Sequence, residues 1–269
     1  MVIIQKTKDE LIMKMFVSER RNKIMKLLHE KQRVTVKELS MNIGVSEATL
    51  RTDLNKMELE GLLTRTHGGA ILNNSSNNET SFSARQKKNK KEKALIAGKA
   101  LEFIEEKQCI LLDASSSALE LARNLKKKSI RLTVVTSGVQ TALELKENPS
   151  ITVILIGGMI TKGSTSIEGT MGLGILEQFN IDIMFTSANG FSLEKGLTDF
   201  NLYEVQLKKE LISRAKKVIA LIDHSKIGTN SSAVFASIHD IDTLITDIPI
   251  DDDLLGMLSK YKMNVILPN

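Results

Sequence analysis

VTVKELSMNIGVSEATLRTDLNKMELEGLLTRTHGGAIL, residues 34–72, decides how the first part of the chain folds. Its Thr35-Val-Lys-Glu38 is a capping box, in which a hydroxyl and a glutamate satisfy orphan backbone donors at a helix start. The helix it opens carries Val36, Leu39 and Ile43 on one face. Gly44 permits the left-handed backbone of a tight turn. Ser46 then caps a third helix over 47–60, with Leu50, Leu54 and Met57 inward and Gly61 closing it. Residues 62–66 and 70–72 flank a Gly68-Gly69 turn and read as a two-stranded wing. Upstream, Ser18 can cap a first helix whose Ile24, Leu27 and Leu28 share a face. Helix, helix, turn, helix, wing is a winged helix-turn-helix.

In that motif the third helix enters the major groove of DNA and short polar side chains reach base edges. Ala48, Thr52, Asn55 and Lys56 face away from the core, with Arg51 on the flank. The expected DNA contacts are Thr35, Ser46, Glu47, Thr49, Arg51, Thr52, Asn55 and Lys56 in the helical part, and Arg65, His67 and Gly68 in the wing. Charge points the same way. Residues 1–93 hold 19 Lys and Arg against 11 Asp and Glu, whereas the whole chain carries only +5. A basic head on a mildly acidic body suits a polyanion. The alternative is a winged helix serving protein contacts; the polar exposed face and basic head favour DNA.

At 269 residues the chain has room for about two domains. Hydrophobic residues at 42% and charged residues at 26% suit a packed globular protein. One cysteine, Cys109, excludes an intrachain disulfide and a multi-cysteine zinc site. The histidines at 29, 67, 224 and 239 lack metal spacing, so no metal and no cofactor are expected. No apolar run approaches the ~18–20 residues of a membrane helix, and the start does not read as a signal peptide. A cytoplasmic protein without membrane contact is expected.

NNSSNNET (73–80) has no apolar side chain and reads as a linker. RQKKNKKEK (85–93) reads as the solvated start of a helix continuing to residue 106, with Leu95, Ile96, Ala100, Leu101 and Ile104 at helical spacing. The expected organisation is an extension 1–15, the winged helix 16–72, a linker 73–84 and a second domain 85–269. Beyond 107, apolar runs at 109–113, 132–137, 151–158, 181–190, 217–223, 242–247 and 264–267 alternate with helical patterns. This predicts an α/β, Rossmann-like, mostly parallel sheet covered on both faces. Ligands in such sheets sit at the carboxyl ends of strands. Asp113 ends one strand there, and Ser115, Ser116 and Ser117 open the next helix, where backbone N–H groups can receive a phosphate. Thr136, Ser137 and Gly158 lie at further strand ends. Asp223, His224 and Lys226 form the densest ionisable group, with Lys226 suited to a phosphate and Asp223 to sugar hydroxyls.

Residues 34–72 resemble the amino-terminal DNA-binding domain of the DeoR family of bacterial transcriptional repressors, through the turn, the T-L-R-x-D-L run and the closing R-x-H-G-G-A. Thr52 stands where the family usually has a second arginine. The likeness continues over about 85–247. GLTDFNLYEVQLKKELISRAKKVIALIDHSKIG (196–228) is similar to the hallmark block of the family's sensor domain. The resemblance implies a fold like that of ribose-5-phosphate isomerase and a phosphorylated-sugar effector. It adds Asn189, Gly190, Thr198 and Glu204 to the effector set; Asn189 stands where the family commonly has aspartate, and Ala114 where it usually has glycine. Asn189 can bond a sugar hydroxyl but cannot act as a general base. The expectation is a homo-oligomeric repressor of a sugar transport or catabolism operon, bound to operator DNA, released by a phosphorylated sugar, and not an enzyme. A sugar-phosphate isomerase with an accessory DNA-binding domain is the alternative.

Overall fold

The computed structural model describes residues 17–59, 63–71, 82–161 and 164–268. The extension 1–15, the helix stop at Gly61 and residues 73–81 of the expected linker lie outside the described residues, as does the side chain of Ser18. The chain divides into two compact units, one ending at Ala84 and one starting at Arg85.

The first unit runs α1 (Val17–Lys31), β1 (Arg33–Thr35), α2 (Val36–Ile43), α3 (Glu47–Leu59), β2 (Thr64–Thr66), β3 (Gly69–Ile71). The capping box forms: the Thr35 amide donates to Glu38 Oε2 at 2.8 Å, and the Glu38 amide donates to Thr35 Oγ1 at 3.1 Å. Gly44 is left-handed at φ 80°, and Ser46 Oγ accepts from the Thr49 amide at 3.2 Å. Ile24, Leu28, Val36, Leu39, Leu50, Leu54 and Met57 are buried together. The wing departs from the expected two strands. β3 is central, antiparallel to both β2 and β1, so the sheet has three strands. A two-stranded ribbon leaves a row of unpaired backbone groups on its outer edge, and Arg33–Thr35 covers that edge. Beneath α3, Asp53 is buried and paired with Arg20.

The second unit opens with α4 (Phe82–Lys87) and α5 (Lys90–Ala100). The single helix expected through 106 is therefore broken, at Asn89, whose backbone is left-handed at φ 50°. The break resets which side chains face inward. Ile96, Ala97 and Ala100 are buried, Leu95 is exposed, and Lys93, from the run expected to be solvated, is buried at 3% exposure.

Then follow β4 (Cys109–Leu112), α6 (Ser116–Leu125), β5 (Leu132–Thr136), α7 (Val139–Leu145), β6 (Ile151–Leu155) and β7 (Ile181–Thr186). Next are β8 (Gly190–Ser192), β9 (Gly196–Asp199), α8 (Leu202–Ile212), β10 (Ala215–Leu221), β11 (Ala233–Ala236), β12 (Thr243–Ile245), α9 (Asp252–Lys260) and β13 (Asn264–Ile266). Seven strands form one sheet, ordered β13-β12-β10-β7-β4-β5-β6, with every pairing parallel. Alternate residues feed two cores. Ile110, Leu112, Val134, Phe185 and Leu221 pack with Ile96, Ala97 and Leu121 of the α5 and α6 side. Leu111, Val135, Met184 and Ala220 pack with Leu207, Leu211 and Phe235 on the other. Burial on both faces explains why these strands read as continuous apolar runs rather than alternating ones. The short antiparallel sheet β11-β9-β8 and helix α9 were not anticipated.

Strand order reverses between β4 and β7: β4, β5 and β6 step one way, β7, β10, β12 and β13 the other. Connections diverge there and leave a crevice at the carboxyl ends, the usual ligand position in open α/β sheets.

Candidate functional site

On α3 the side chains of Arg51, Thr52, Asn55 and Lys56 are exposed, as is Ala48. Arg51 pairs with Glu47 at 2.7 Å, one helical turn away. Such an exposed pair is worth only ~0.3–0.5 kcal/mol, so DNA can take the guanidinium from it. Thr52 Oγ1 donates to the Ala48 carbonyl at 3.1 Å, and Thr49 shares a 2.9 Å hydroxyl contact with Ser46. The Thr35 and Ser46 hydroxyls serve as helix caps. Arg65, placed by sequence on the wing alone, reaches back to α3: its Nη1 donates to Asn55 Oδ1 and to the Arg51 carbonyl. His67 and Gly68 are exposed at the wing turn.

Arg51→Ala is expected to weaken operator binding by about 1–3 kcal/mol, as loss of a base contact does. Lys56→Ala should instead lower affinity for all duplexes alike and flatten the salt dependence by about one phosphate's worth. Salt-series titrations on operator and random duplexes separate the two; equal loss on both for Arg51→Ala would remove its reading role.

In the second unit the crevice is built from the ends of β4, β7 and β10. Asp113, just past β4, is buried. Its Oδ1 accepts from the Ser115 amide at 2.9 Å, and its Oδ2 accepts from Thr186 Oγ1 at 2.7 Å and the Ser187 amide at 3.0 Å. Ser115 caps α6, accepting from the Ala118 amide, and Ser116 is the first residue of that helix. Ser117 Oγ donates to Ser187 Oγ at 3.3 Å. Lys226 Nζ donates to the same Ser187 Oγ at 3.1 Å and lies 3.5 Å from Asp223. The two strand ends singled out in sequence, at Asp113–Ser117 and at Asp223–Lys226, thus meet through Ser187, just past the end of β7 between them. Burial lowers the Lys226 ammonium pKa, and Asp223 works against that fall. Burial pushes the Asp223 carboxyl up, but Lys226, Ser225 and Asn89 hold it below the ordinary carboxylate value.

Lys208 of α8 is the residue the sequence reading missed. It is buried, with Nζ donating to the Ser187 carbonyl at 2.8 Å and Asp199 Oδ2 at 2.9 Å, and 3.4 Å from Asp113. Its ammonium sits 4.7 Å from the centre of the Phe235 ring. Burial alone would strip its charge, but Asp199, Asp113 and Glu204 raise its pKa above the ordinary lysine value. A signal existed: Glu204 and Lys208 lie one turn apart among Val205, Leu207, Leu211 and Ile212, a charged pair on an apolar stripe. Asn189 joins this network, its Nδ2 donating to Asp199 Oδ1 at 2.6 Å. Glu204 is buried rather than a surface charge; Ser166 donates to it at 3.0 Å, and burial raises its pKa.

Five further candidates are taken up by contacts within the chain. Thr136 Oγ1 accepts from the Gly138 amide, and the Ser137 carbonyl accepts from Ile167. At Gly158 a side chain would meet Ile167 at 2.7 Å, so the close approach there is to the chain itself. Thr198 Oγ1 donates to the Gly190 carbonyl at 3.1 Å and accepts from the Ser231 amide at 2.8 Å. A side chain at Gly190 would stand 2.5 Å from the Thr229 carbonyl oxygen. Among the described residues no group of three His, Cys, Asp or Glu could hold a metal, and no helix is long and apolar enough to cross a membrane.

Comparison with known proteins follows this division. The DeoR-like helix-turn-helix domain matches residues 20–76, and the DeoR C terminal sensor domain matches 88–248. The chain is 47% identical over 240 residues to the HTH-type transcriptional regulator GolR of Listeria innocua, covering 89% of this chain and 94% of that one. It is 30% identical over 250 residues to the glycerol-3-phosphate regulon repressor of Escherichia coli, covering 93% and 98%. A solved D-ribose-5-phosphate isomerase in complex with phospho-erythronic acid is similar over 51% of this chain and 54% of its own, at 22% identity and a TM-score of 0.40. A DNA-reading head and a sensor body, matched in order along one chain, make this protein a transcriptional regulator of the DeoR family.

Proposed function

We propose that the second unit binds a phosphorylated sugar at the rim shared by Ser117, Ser187 and Lys226, and that the bound state releases operator DNA. One observation carries this reading: a lysine ammonium and two hydroxyls converge beside a helix start at the point where strand order reverses. A phosphate there gains the ammonium charge, hydroxyl bonds and the positive end of α6, which together offset its desolvation. The aspartates nearby do not repel it at full strength, because Lys208 offsets part of the charge of Asp113 and Asp199. The name of the glycerol-3-phosphate regulon repressor supports a phosphate ester as the class of signal. Binding occurs without turnover, since Asn189 cannot take up a proton. The protein acts in the cytoplasm as a homo-oligomer, whose symmetry matches paired operator half-sites.

A thermal-shift series of sugar phosphates tests the reading. A ligand at ~100 times its dissociation constant adds about 2.7 kcal/mol to stability. Lys226→Ala is expected to abolish the shift and leave operator binding intact. If the unphosphorylated sugar stabilises as well as its ester, the phosphate assignment fails. If ribose 5-phosphate is isomerised, and Asp223→Ala stops it, the unit is an enzyme.

A further inference from the structure

α4 runs across the boundary between the two units, since the second begins at Arg85. Two side chains tie the corner between α4 and α5 to the interior of the second unit. Lys93, buried in α5, turns its ammonium back to donate to the carbonyls of Arg85 and Lys88, the latter at 2.6 Å. Asn89, in the corner itself, donates from Nδ2 to Asp223 Oδ1 at 2.7 Å and to Ser225 Oγ at 3.0 Å. Asp223 in turn accepts from Ser225 and faces Lys226. The last turn of α4 is therefore fastened, through three residues, to the strand end that carries the candidate phosphate-binding lysine.

We propose that this fastening transmits the state of the sensor: Lys93 and Asn89 hold the α4–α5 corner in its DNA-binding arrangement, and an anion arriving at Lys226 loosens it. The inference rests on the sensor reading for the nature of the signal only; the corner and its bonds stand without it. The charges around the corner are poised for such a response. Lys93 ion-pairs with no carboxylate among the described residues and is satisfied by carbonyls. Burial, together with repulsion from Lys226 and Arg85, lowers its pKa to about 8, against weaker support from Asp223 and Glu120. A phosphate at Lys226 draws these cations toward itself and repels Asp223. Both changes weaken the bonds at Asn89 and Lys93. The left-handed Asn89, once its side chain loses Asp223 and Ser225, then relaxes, since that conformation costs a non-glycine residue energy. The ligand thereby binds the two arrangements with different affinity, as a shift in equilibrium requires.

The test uses the full chain without ligand, so that it does not depend on knowing the effector. Asn89→Ala removes one tie, and Lys93→Gln removes the other while keeping an N–H donor. Amide exchange across 85–93 and operator affinity are measured for both, with circular dichroism to show that each is folded. Each variant is expected to exchange faster at the corner and to lose at least about fivefold in operator affinity, the lower end of usual coupling between sites. Adding inorganic phosphate should weaken operator binding of the parent further than that of the variants. The inference is overturned if exchange quickens while operator affinity stays within about twofold of the parent. It is equally overturned if exchange at 85–93 does not change. Failure of the sensor reading shows differently: no phosphate ester shifts the melting of the parent, yet the two variants still bind operator weakly.

Discussion

Replacing Lys208 with methionine is expected to destabilise the second unit by about 3–5 kcal/mol, the usual cost of leaving buried charge without its partner. Methionine fills similar volume, so little of that cost comes from a cavity. What remains is a buried Asp113 and a buried Asp199 whose shared cation is gone. The Ser187 carbonyl also loses its donor. Pairing the change with Asp199→Asn should recover part of the loss, because one of the stranded charges goes with it. Urea unfolding followed by a probe in the second unit measures both. A loss under about 1 kcal/mol for the single change would mean that water or local rearrangement satisfies the aspartates, and that Lys208 does not hold the crevice. The same variant should lose the response to sugar phosphates, since Ser187 carries the hydroxyl shared by Ser117 and Lys226.

Gly69→Ala is expected to be nearly as damaging to the first unit. A methyl group there would sit 2.0 Å from the Val34 carbonyl oxygen and 2.7 Å from the Thr35 Cα. Both are backbone atoms of β1, so no side chain can swing aside. The sheet must open between β1 and β3, at a cost of about 3 kcal/mol, the upper end for forced overpacking. Thr35 also opens α2 through its capping box, and the Val36 amide donates to the Gly68 carbonyl at 2.9 Å. The strain therefore reaches the helix-turn-helix, and operator affinity should fall along with stability. Gly68→Ala is the control: nothing lies within 4 Å of a side chain at that position. If the two alanines cost the same, the close approach of β1 and β3 is not what requires glycine.

The contrast between these glycines marks where local sequence stops being informative. The Gly68-Gly69 pair announces a turn between two short strands; the turn falls one residue earlier, on His67 and Gly68, and Gly69 opens β3. That a third strand closes over Gly69 depends on Arg33–Thr35, which lies more than thirty residues earlier and has no alternating pattern to declare it. Helices α2 and α3 were legible because each carries its own start signal and its own apolar stripe. Thr35 and Glu38 meet three residues apart, and Val36, Leu39 and Ile43 share a face whatever lies around them. The parallel strands were legible for a related reason: burial on both faces leaves an uninterrupted apolar run. Asp113, Ser115–Ser117 and Lys226 could be chosen because strand ends in such a sheet converge on one rim.

The polar groups that complete the crevice follow a different rule. Nothing within KKNKKEK distinguishes Lys93 from its neighbours, yet it alone of that run is buried. The left-handed turn at Asn89 rotates it inward, and that turn is held by Asp223, 134 residues away. Lys208 lies on the apolar side of α8, but its charge is compensated only when Asp113 and Asp199 arrive from the ends of two other strands. The helices of the helix-turn-helix and the buried parallel strands were determined by the sequence itself, because periodicity and capping act within a few residues there. Which charges are buried was decided only by the tertiary structure. A charged group can leave water only where partners from distant parts of the chain compensate it, and that compensation exists only once the sheet has brought them together.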